Sequence, residues 1–234
     1  MIEVDAKPYA NPNNYIKLSG RIADQLPNAC WANQFDNVDN RRAHYETTAP
    51  ELIQQLPDLD AFSCAVGTGG TLAGCSMYFK EHHPHIKIGH TDPQGARLHR
   101  WYKDGELKAE GGSITEGIGQ GRVTANLEGF TPDFTFEIDD ETAMKTCFEL
   151  LQNEGLSLGM SSGINVAGAE RLAKELGPGH TLVTILCDSA SRYQGKMFNR
   201  EFLKSKGLPE PEWLEPDLPT EIKEALANAT ETED

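Results

Sequence analysis

Five residues, Gly67-Thr68-Gly69-Gly70-Thr71, carry the clearest chemistry in this chain. They follow an apolar run, Ala61 to Val66, and open a helix-like stretch, Thr71 to Lys80. A strand, a glycine turn and a helix start aim several backbone N–H groups and a positive helix end at one spot, so an anion, above all a phosphate, belongs there. The glycines let a ligand approach the backbone and permit the positive φ angles of such a turn. Thr68 and Thr71 add hydroxyl donors. No Gly-Lys-Ser/Thr follows, which excludes a Walker A loop. Gly67 and Gly69 fit a dinucleotide fingerprint and Asp92 ends the next strand-like run, but Leu72 stands where that fingerprint wants Gly or Ala. A tight turn with no ligand is the plain alternative.

Other reactive residue types point to structure. Cys30, Cys64, Cys75, Cys147 and Cys187 form no Cys-x-x-Cys pair and are odd in number, which is neither a zinc pattern nor a secreted disulfide framework. Cys64 and Cys187 fall in apolar runs and read as small buried hydrophobes. His82-His83-Pro84-His85 ends a helix, where imidazoles suit the negative end, and no metal site is expected. Asn228-Ala229-Thr230 matches a glycosylation sequon without meaning for a cytoplasmic protein.

Gly67 to Thr71, continued by Leu72-Ala73-Gly74, resembles the phosphate loop of fold-type II pyridoxal phosphate (PLP) enzymes, specifically the cysteine synthase (O-acetylserine sulfhydrylase) and cystathionine β-synthase family. Four further segments agree with it. Ala32-Asn33-Gln34-Phe35-Asp36-Asn37 is similar to the family's Gln-Phe segment beside the substrate, and His44 to Glu51 to the helix entry after it. Asp92-Pro93-Gln94-Gly95 and Thr115-Glu116-Gly117-Ile118-Gly119 resemble loops flanking the cofactor, and Gly159-Met160-Ser161-Ser162-Gly163 the serine turn under the pyridine ring. The resemblance spans about Ala6 to Pro211.

The resemblance implies PLP as cofactor, held by Gly67, Thr68, Gly69, Gly70 and Thr71 at its phosphate and by Ser161 at its ring nitrogen. A neutral serine leaves that nitrogen largely unprotonated, which suits loss of a β-leaving group followed by addition of a nucleophile. Read alone, Ser161 is a helix N-cap, and one hydroxyl can serve both roles. Gln34 and Phe35 would lie at the substrate, and Gly117, Ile118 and Gly119 would form a wall closing over it. Two family motifs are absent: the lysine that bonds to PLP as a Schiff base, and the Ser-Gly-Asn-Thr loop for the substrate carboxylate. Lys7 and Lys17 do not match the lysine segment, so no catalytic residue is assigned and the chain reads as N-terminally truncated. Asp36 to Asn40 stands where many members have Asn-Pro-Ala-Asn, and Ala190 replaces a glycine common after the last strand, which leaves donor and acceptor open.

These residues need elements to position them. Asn13 to Leu26 reads as a helix with Tyr15, Leu18, Ile22 and Leu26 on one stripe. Thr48-Ala49-Pro50-Glu51 reads as a capping box opening a helix through Leu56. Strand Ala61 to Val66, helix Thr71 to Lys80 and strand Ile86 to Thr91 follow, then a long glycine-rich stretch, Arg97 to Gly121. Phe134 to Ile138 reads as a strand, Asp140 to Glu154 and Ser161 to Leu176 as helices, and Thr181 to Cys187 as an uninterrupted strand of the buried parallel type. The alternation implies an α/β fold with a mainly parallel sheet and flanking helices. By resemblance this is the tryptophan synthase β-like architecture of fold-type II, incomplete here: residues 1–34 a remnant of the small N-terminal domain, 35–211 the large PLP-phosphate-binding domain, and 212–234 an acidic, partly disordered tail. In that tail Leu218, Ile222 and Leu226 permit one short amphipathic helix.

Composition limits the partners. The 234 residues, 38% of them hydrophobic, can bury a sizeable core. A net charge of -15 argues against nucleic acid and anionic membranes, and no apolar run approaches the roughly 20 residues of a membrane span. Glu3 and Asp5 do not suit a signal peptide, which points to the cytoplasm. The expected function is PLP-dependent β-replacement, O-acetylserine plus sulfide giving cysteine plus acetate. It implies a small amino-acid substrate and a homodimer in the full-length family. The rivals are an inactive PLP- or phosphate-binding chain, an interaction subunit completed by an N-terminal fragment, and an unrelated nucleotide-binding domain.

Overall fold

Strand β1 (Ala61–Ala65) is the centre of the molecule, because its side chains are buried on both faces and it pairs with a neighbour on each edge. The computed structural model describes residues 2–214, 219–222, 224 and 225. The chain leads into β1 through α1 (Tyr15–Gln25), α2 (Asp39–Ala43), a π-helical turn (His44–Thr48) and α3 (Ala49–Gln55). It continues through α4 (Gly70–His82), β2 (Lys87–Pro93), α5 (Leu98–Asp104), β3 (Phe134–Ile138), α6 (Asp140–Glu154), α7 (Met160–Leu176), β4 (Leu182–Thr184), α8 (Gln194–Met197) and α9 (Arg200–Lys206). All three strand pairings are parallel, in the order β3-β2-β1-β4, so the expected α/β fold with a parallel sheet is present.

Side-chain alternation along β1 divides the core. Phe62 and Cys64 face a cluster formed with Leu72, Ala73, Cys75 and Phe79 of α4. Ser63 and Ala65 face α7, and small residues on both the helix and the sheet allow close approach: a Cβ on Gly168 of α7 would strike the Thr91 side chain, and one on Gly89 of β2 would meet Ser63 and Leu172. Beyond α7 a second cluster joins Ile138, Met144, Cys147, Met160 and Ile164 to Met197 and Leu203. Each large side chain buried in these layers contributes about 1.5–3 kcal/mol. Among the described residues, no helix is long and apolar enough to cross a membrane.

Four local expectations are corrected. Thr48 is not an N-cap: its backbone is helical, its side chain caps nothing, and the chain stays helical from Asp39 to Gln55. The π turn allows this, because Ala49 N–H bonds His44 O five residues back and the wider turn relieves the register that Pro50 would otherwise disrupt. Ser161 is not an N-cap either, since Gly159 holds that position and Ser161 lies inside α7. The strand expected over Thr181 to Cys187 shrinks to Leu182–Thr184 and is only half-buried, because β4 lies at the sheet edge and other partners take its last backbone groups. Cys187 is accordingly exposed, whereas Cys64 is buried as expected. The glycine-rich stretch contains α5, and the α1 stripe leaves Tyr15, Ile22 and Leu26 exposed. Leu218, Leu226, the sequon and Asn228 to Asp234 lie outside the described residues.

The close α7 contact leads to a stability test. Gly168→Val should lower the free energy of unfolding by about 3 kcal/mol through overpacking against Thr91. Gly195→Ala, in α8 with no atom near the new methyl, should be neutral or stabilising by up to about 1 kcal/mol. Urea denaturation of both variants checks the contrast, and similar midpoints would show that α7 has room to move.

Candidate functional site

The connection from β1 leads through α4 to β2 on one side, while the chain returning from β3 crosses to β4 on the other. The carboxyl ends of β1 and β4 therefore flank the point where strand order reverses, which is where open α/β sheets bind ligands. A cavity of about 200 Å³ lies there, lined by Ala65, Gly67, Thr68, Gly69, Thr71, Ile118, Asn165 and Cys187, among others. It is smaller than the roughly 300–1,000 Å³ of drug-sized ligand sites, which suits one ring with a phosphate better than a dinucleotide. Asp92, the acid a dinucleotide would need, is fully buried and accepts from His99 N–H at 2.8 Å.

The glycine loop forms one wall. Gly69 has φ 90°, and a Cβ there would lie 2.6 Å from the Leu127 side chain. A Cβ on Gly67 would lie 2.6 Å from Gly117 O. Among the described residues no protein acceptor takes the amide N–H of Thr68, Gly69 or Thr71, while Gly70 N–H donates to Thr68 Oγ1 at 3.2 Å. These donors sit at the positive end of the 13-residue helix α4. Thr124 Oγ1 donates to Thr68 O at 2.7 Å and holds the turn from outside.

Asn165 of α7 builds the opposite wall. It is 1% exposed; its Oδ1 accepts from Ala65 N–H at 2.7 Å and its Nδ2 donates to Ile185 O at 2.7 Å. Ser162 Oγ accepts from Cys187 N–H at 2.9 Å. Although Cys187 as a residue is exposed, partial burial of its sulfur pushes the thiol above its ordinary range, partly offset by hydrogen bonds from Ser161 and Asn165. Burial also pushes Cys75 up to about 12 and Cys64 well up, so these thiols stay protonated near neutral pH and are poor nucleophiles. Ser161 is 5% exposed and sits beside the sulfur of Cys187, which lines the cavity; Ser161 itself is not among the lining residues.

The other segments meet the loop to different degrees. Ile118 lines the cavity, and Gly119 N–H donates to Val66 O at 2.9 Å, which seats Gly117 to Gly119 over the end of β1. The backbone of Gln34 and Phe35 is held by Asn126 Nδ2, at 2.9 Å to each carbonyl, but the Gln34 side chain is exposed. Phe35 lines a separate cavity of about 500 Å³ with Tyr9, Tyr15, Arg97 and Arg122. Asp36 takes two 2.8 Å bonds from Arg122, which hold its carboxyl below the usual range despite partial burial. Sequence reasoning missed Asn165, Asn126, Asn40 and His44. A buried asparagine in mid-helix, four residues after Ser161, was the available signal for the first.

The donors present fit PLP. Unpaired loop N–H groups and a helix end match its phosphate, Ile118, Ile185 and Leu72 offer apolar walls for a ring, and Ser161 is a neutral hydroxyl one residue behind the wall, against Cys187. No lysine is among the residues lining the cavity. Comparison with known proteins agrees with this chemistry. Residues 1–188 match the family model described as pyridoxal-phosphate dependent enzyme. The chain is 46% identical over 211 residues to cysteine synthase 1 of Neurospora crassa, covering 88% of this chain and 56% of that protein. It is 47% identical to cysteine synthase 1 of Emericella nidulans, covering 88% and 57%. The crystal structure of O-acetylserine dependent cystathionine β-synthase from Helicobacter pylori superposes with a TM-score of 0.70 at 35% identity, over 77% of this chain and 57% of that one. This chain thus spans a little over half the length of these relatives. With the glycine loop at the switch point and a family model covering most of its length, the chain belongs to the pyridoxal-phosphate dependent enzyme family.

Proposed function

We propose that the chain is the cofactor-binding part of a cytoplasmic cysteine synthase: O-acetylserine and sulfide give cysteine and acetate, a C–S bond replacing the C–O bond at the β-carbon. The unpaired donors of the Gly67–Thr71 loop at the β1/β4 crevice carry this reading, supported by the 46–47% identity to two cysteine synthases. The matched solved structures include an O-acetylserine dependent enzyme and O-ureido-L-serine synthase, names that point to an O-substituted serine as substrate.

Bound here, PLP supplies the electron sink that lets a β-substituent leave an amino acid. Gly67, Thr68, Gly69, Gly70 and Thr71 would hold its phosphate, and the Ser161 hydroxyl would serve the ring nitrogen without bringing a charge. Ile118 between Gly117 and Gly119 covers the crevice and excludes water, the two glycines, at φ 81° and 86°, supplying the bends. Gln34 and Phe35 are assigned to the substrate by the family resemblance alone; the Asp36–Arg122 pair and Asn126 set where their backbone lies, beside rather than inside the loop cavity. In this reading residues 35–211 are the cofactor domain and residues 1–34 belong to the family's other domain. The exposed α1 stripe of Tyr15, Ile22 and Leu26 is where the family's lysine-bearing region, or the second copy of a homodimer, packs.

Free PLP or inorganic phosphate should bind the purified chain through the loop. Thr68→Ala should weaken binding by about threefold to tenfold, the worth of one hydrogen bond. Gly69→Val should abolish it, because valine resists φ 90° and meets Leu127. Calorimetric titration of both variants decides, and equal affinities would place the anion elsewhere.

The chain alone should show no turnover of O-acetylserine and sulfide, since no lysine reaches the cavity to move the α-proton. Adding a polypeptide that carries the family's lysine and Ser-Gly-Asn-Thr segments should restore cysteine formation. In that mixture Ser161→Asp should slow turnover more than Ser161→Ala. A mixture that associates and stays inactive would overturn the assignment, and activity of the chain by itself would show that another lysine substitutes.

A further inference from the structure

Both hydroxyls of the glycine loop are gripped from behind by one short helical segment, and the grip has a direction. Asn40 of α2 and His44 of the π turn are four residues apart and so share a face. Asn40 Nδ2 donates to Gln34 O at 2.7 Å, which settles the orientation of its amide, and also to Thr68 Oγ1 at 3.1 Å. Gly70 N–H donates to the same Oγ1 at 3.2 Å. A hydroxyl has two lone pairs and one hydrogen, so Thr68 has only its O–H left to offer.

Thr71 is in the same position through a longer chain. His44 Nε2 lies 3.1 Å from Thr71 Oγ1, and its Nδ1 lies 2.9 Å from Thr48 Oγ1. Burial lowers the proton affinity of the ring, which is neutral near pH 7, with one nitrogen a donor and the other an acceptor. If Nδ1 carried the proton, Nε2 would take the Thr71 hydrogen and leave an oxygen lone pair facing an anion. If Nε2 carries it, the ring donates to Thr71 Oγ1, Thr48 O–H closes the chain at Nδ1, and the Thr71 hydrogen is free for the anion.

We propose that His44 and Asn40 are positioning residues that polarise the phosphate site: by donating to the oxygens of Thr71 and Thr68, they turn both hydroxyls into obligate donors toward a bound phosphate. His44 and Thr48 are four residues apart within the helical turn, so their side chains meet on one face. The inference deepens the cofactor reading and rests on it.

A double-mutant cycle on the full chain tests it, with PLP and inorganic phosphate as probes in equilibrium titrations. His44→Phe should weaken PLP by about tenfold, whereas His44→Gln, whose amide nitrogen can still donate, should stay within about threefold of wild type. In a Thr71→Val background His44→Phe should cost nothing further, because the hydroxyl it acts through is gone. Side-chain nitrogen NMR should place the His44 proton on Nε2 when phosphate is added. A His44→Phe loss that persists at full size beside Thr71→Val, an unchanged affinity in His44→Phe, or an Nδ1 proton in the phosphate complex would overturn the proposal while leaving the cofactor reading intact. Failure of the wild-type chain to bind either probe would end both.

Discussion

The site depends on one buried side chain more than any other, the carboxamide of Asn165. Parallel strands that stayed hydrogen-bonded to their ends would close the crevice between β1 and β4. Asn165 instead takes the next donor of β1, Ala65 N–H, and the next acceptor beyond β4, Ile185 O, satisfying both from α7 while the strands part. Ser162 does the same for Cys187 N–H. A backbone group buried without a partner costs about 1–3 kcal/mol, so two serviced groups at 2.7 Å make the opening a stable feature. The small residues of α7 follow from this, because Asn165 reaches the sheet only if Gly168 and Ala167 let the helix lie close.

Across the crevice, the loop is held as firmly as the strands. Arg41 N–H donates to Asn126 Oδ1, and its guanidinium reaches Glu128 O at 2.8 Å. Asn126 in turn holds the carbonyls of Gln34 and Phe35. Asp36 bonds Arg122 and Ala125 N–H, and Arg122 lies 4.4 Å from the Tyr9 ring centre. Segments far apart in sequence are thus drawn to one rim by charge-assisted and amide bonds, which are directional and set spacing better than apolar contact. The amides of the glycine loop are the exception. Among the described residues, those of Thr68, Gly69 and Thr71 find no protein acceptor at the head of α4, and a rigid surround around unpaired donors is how a binding site is pre-organised.

Local pattern carried most of the architecture. The glycine loop, the helix after it, the strand Phe134–Ile138 and the helix Asp140–Glu154 are legible because a run of apolar residues, a glycine turn or an Asp cap is a short-range signal. Thr48-Ala49-Pro50-Glu51 misled for the same reason. The motif has capping chemistry, but the helix had already begun at Asp39, and Thr48 spends its hydroxyl on His44. The apolar run to Cys187 misled because composition does not say which strand lies at an edge, or that Asn165 intercepts its last carbonyl.

The sequence by itself determined that this chain is an α/β protein with an anion loop at the head of a helix, and by its ordered motifs it pointed to the PLP enzyme family. Those features reside in contiguous residues, where spacing is enough. Only the tertiary structure decided which strands part to form the cavity, that Ser161 lies inside α7 beside Cys187, and that Asn40 and His44 stand behind the two loop threonines. Those contacts join residues 25 to 28 positions apart, and their geometry comes from the packing of α2, α4 and α7 around β1, which no local pattern encodes.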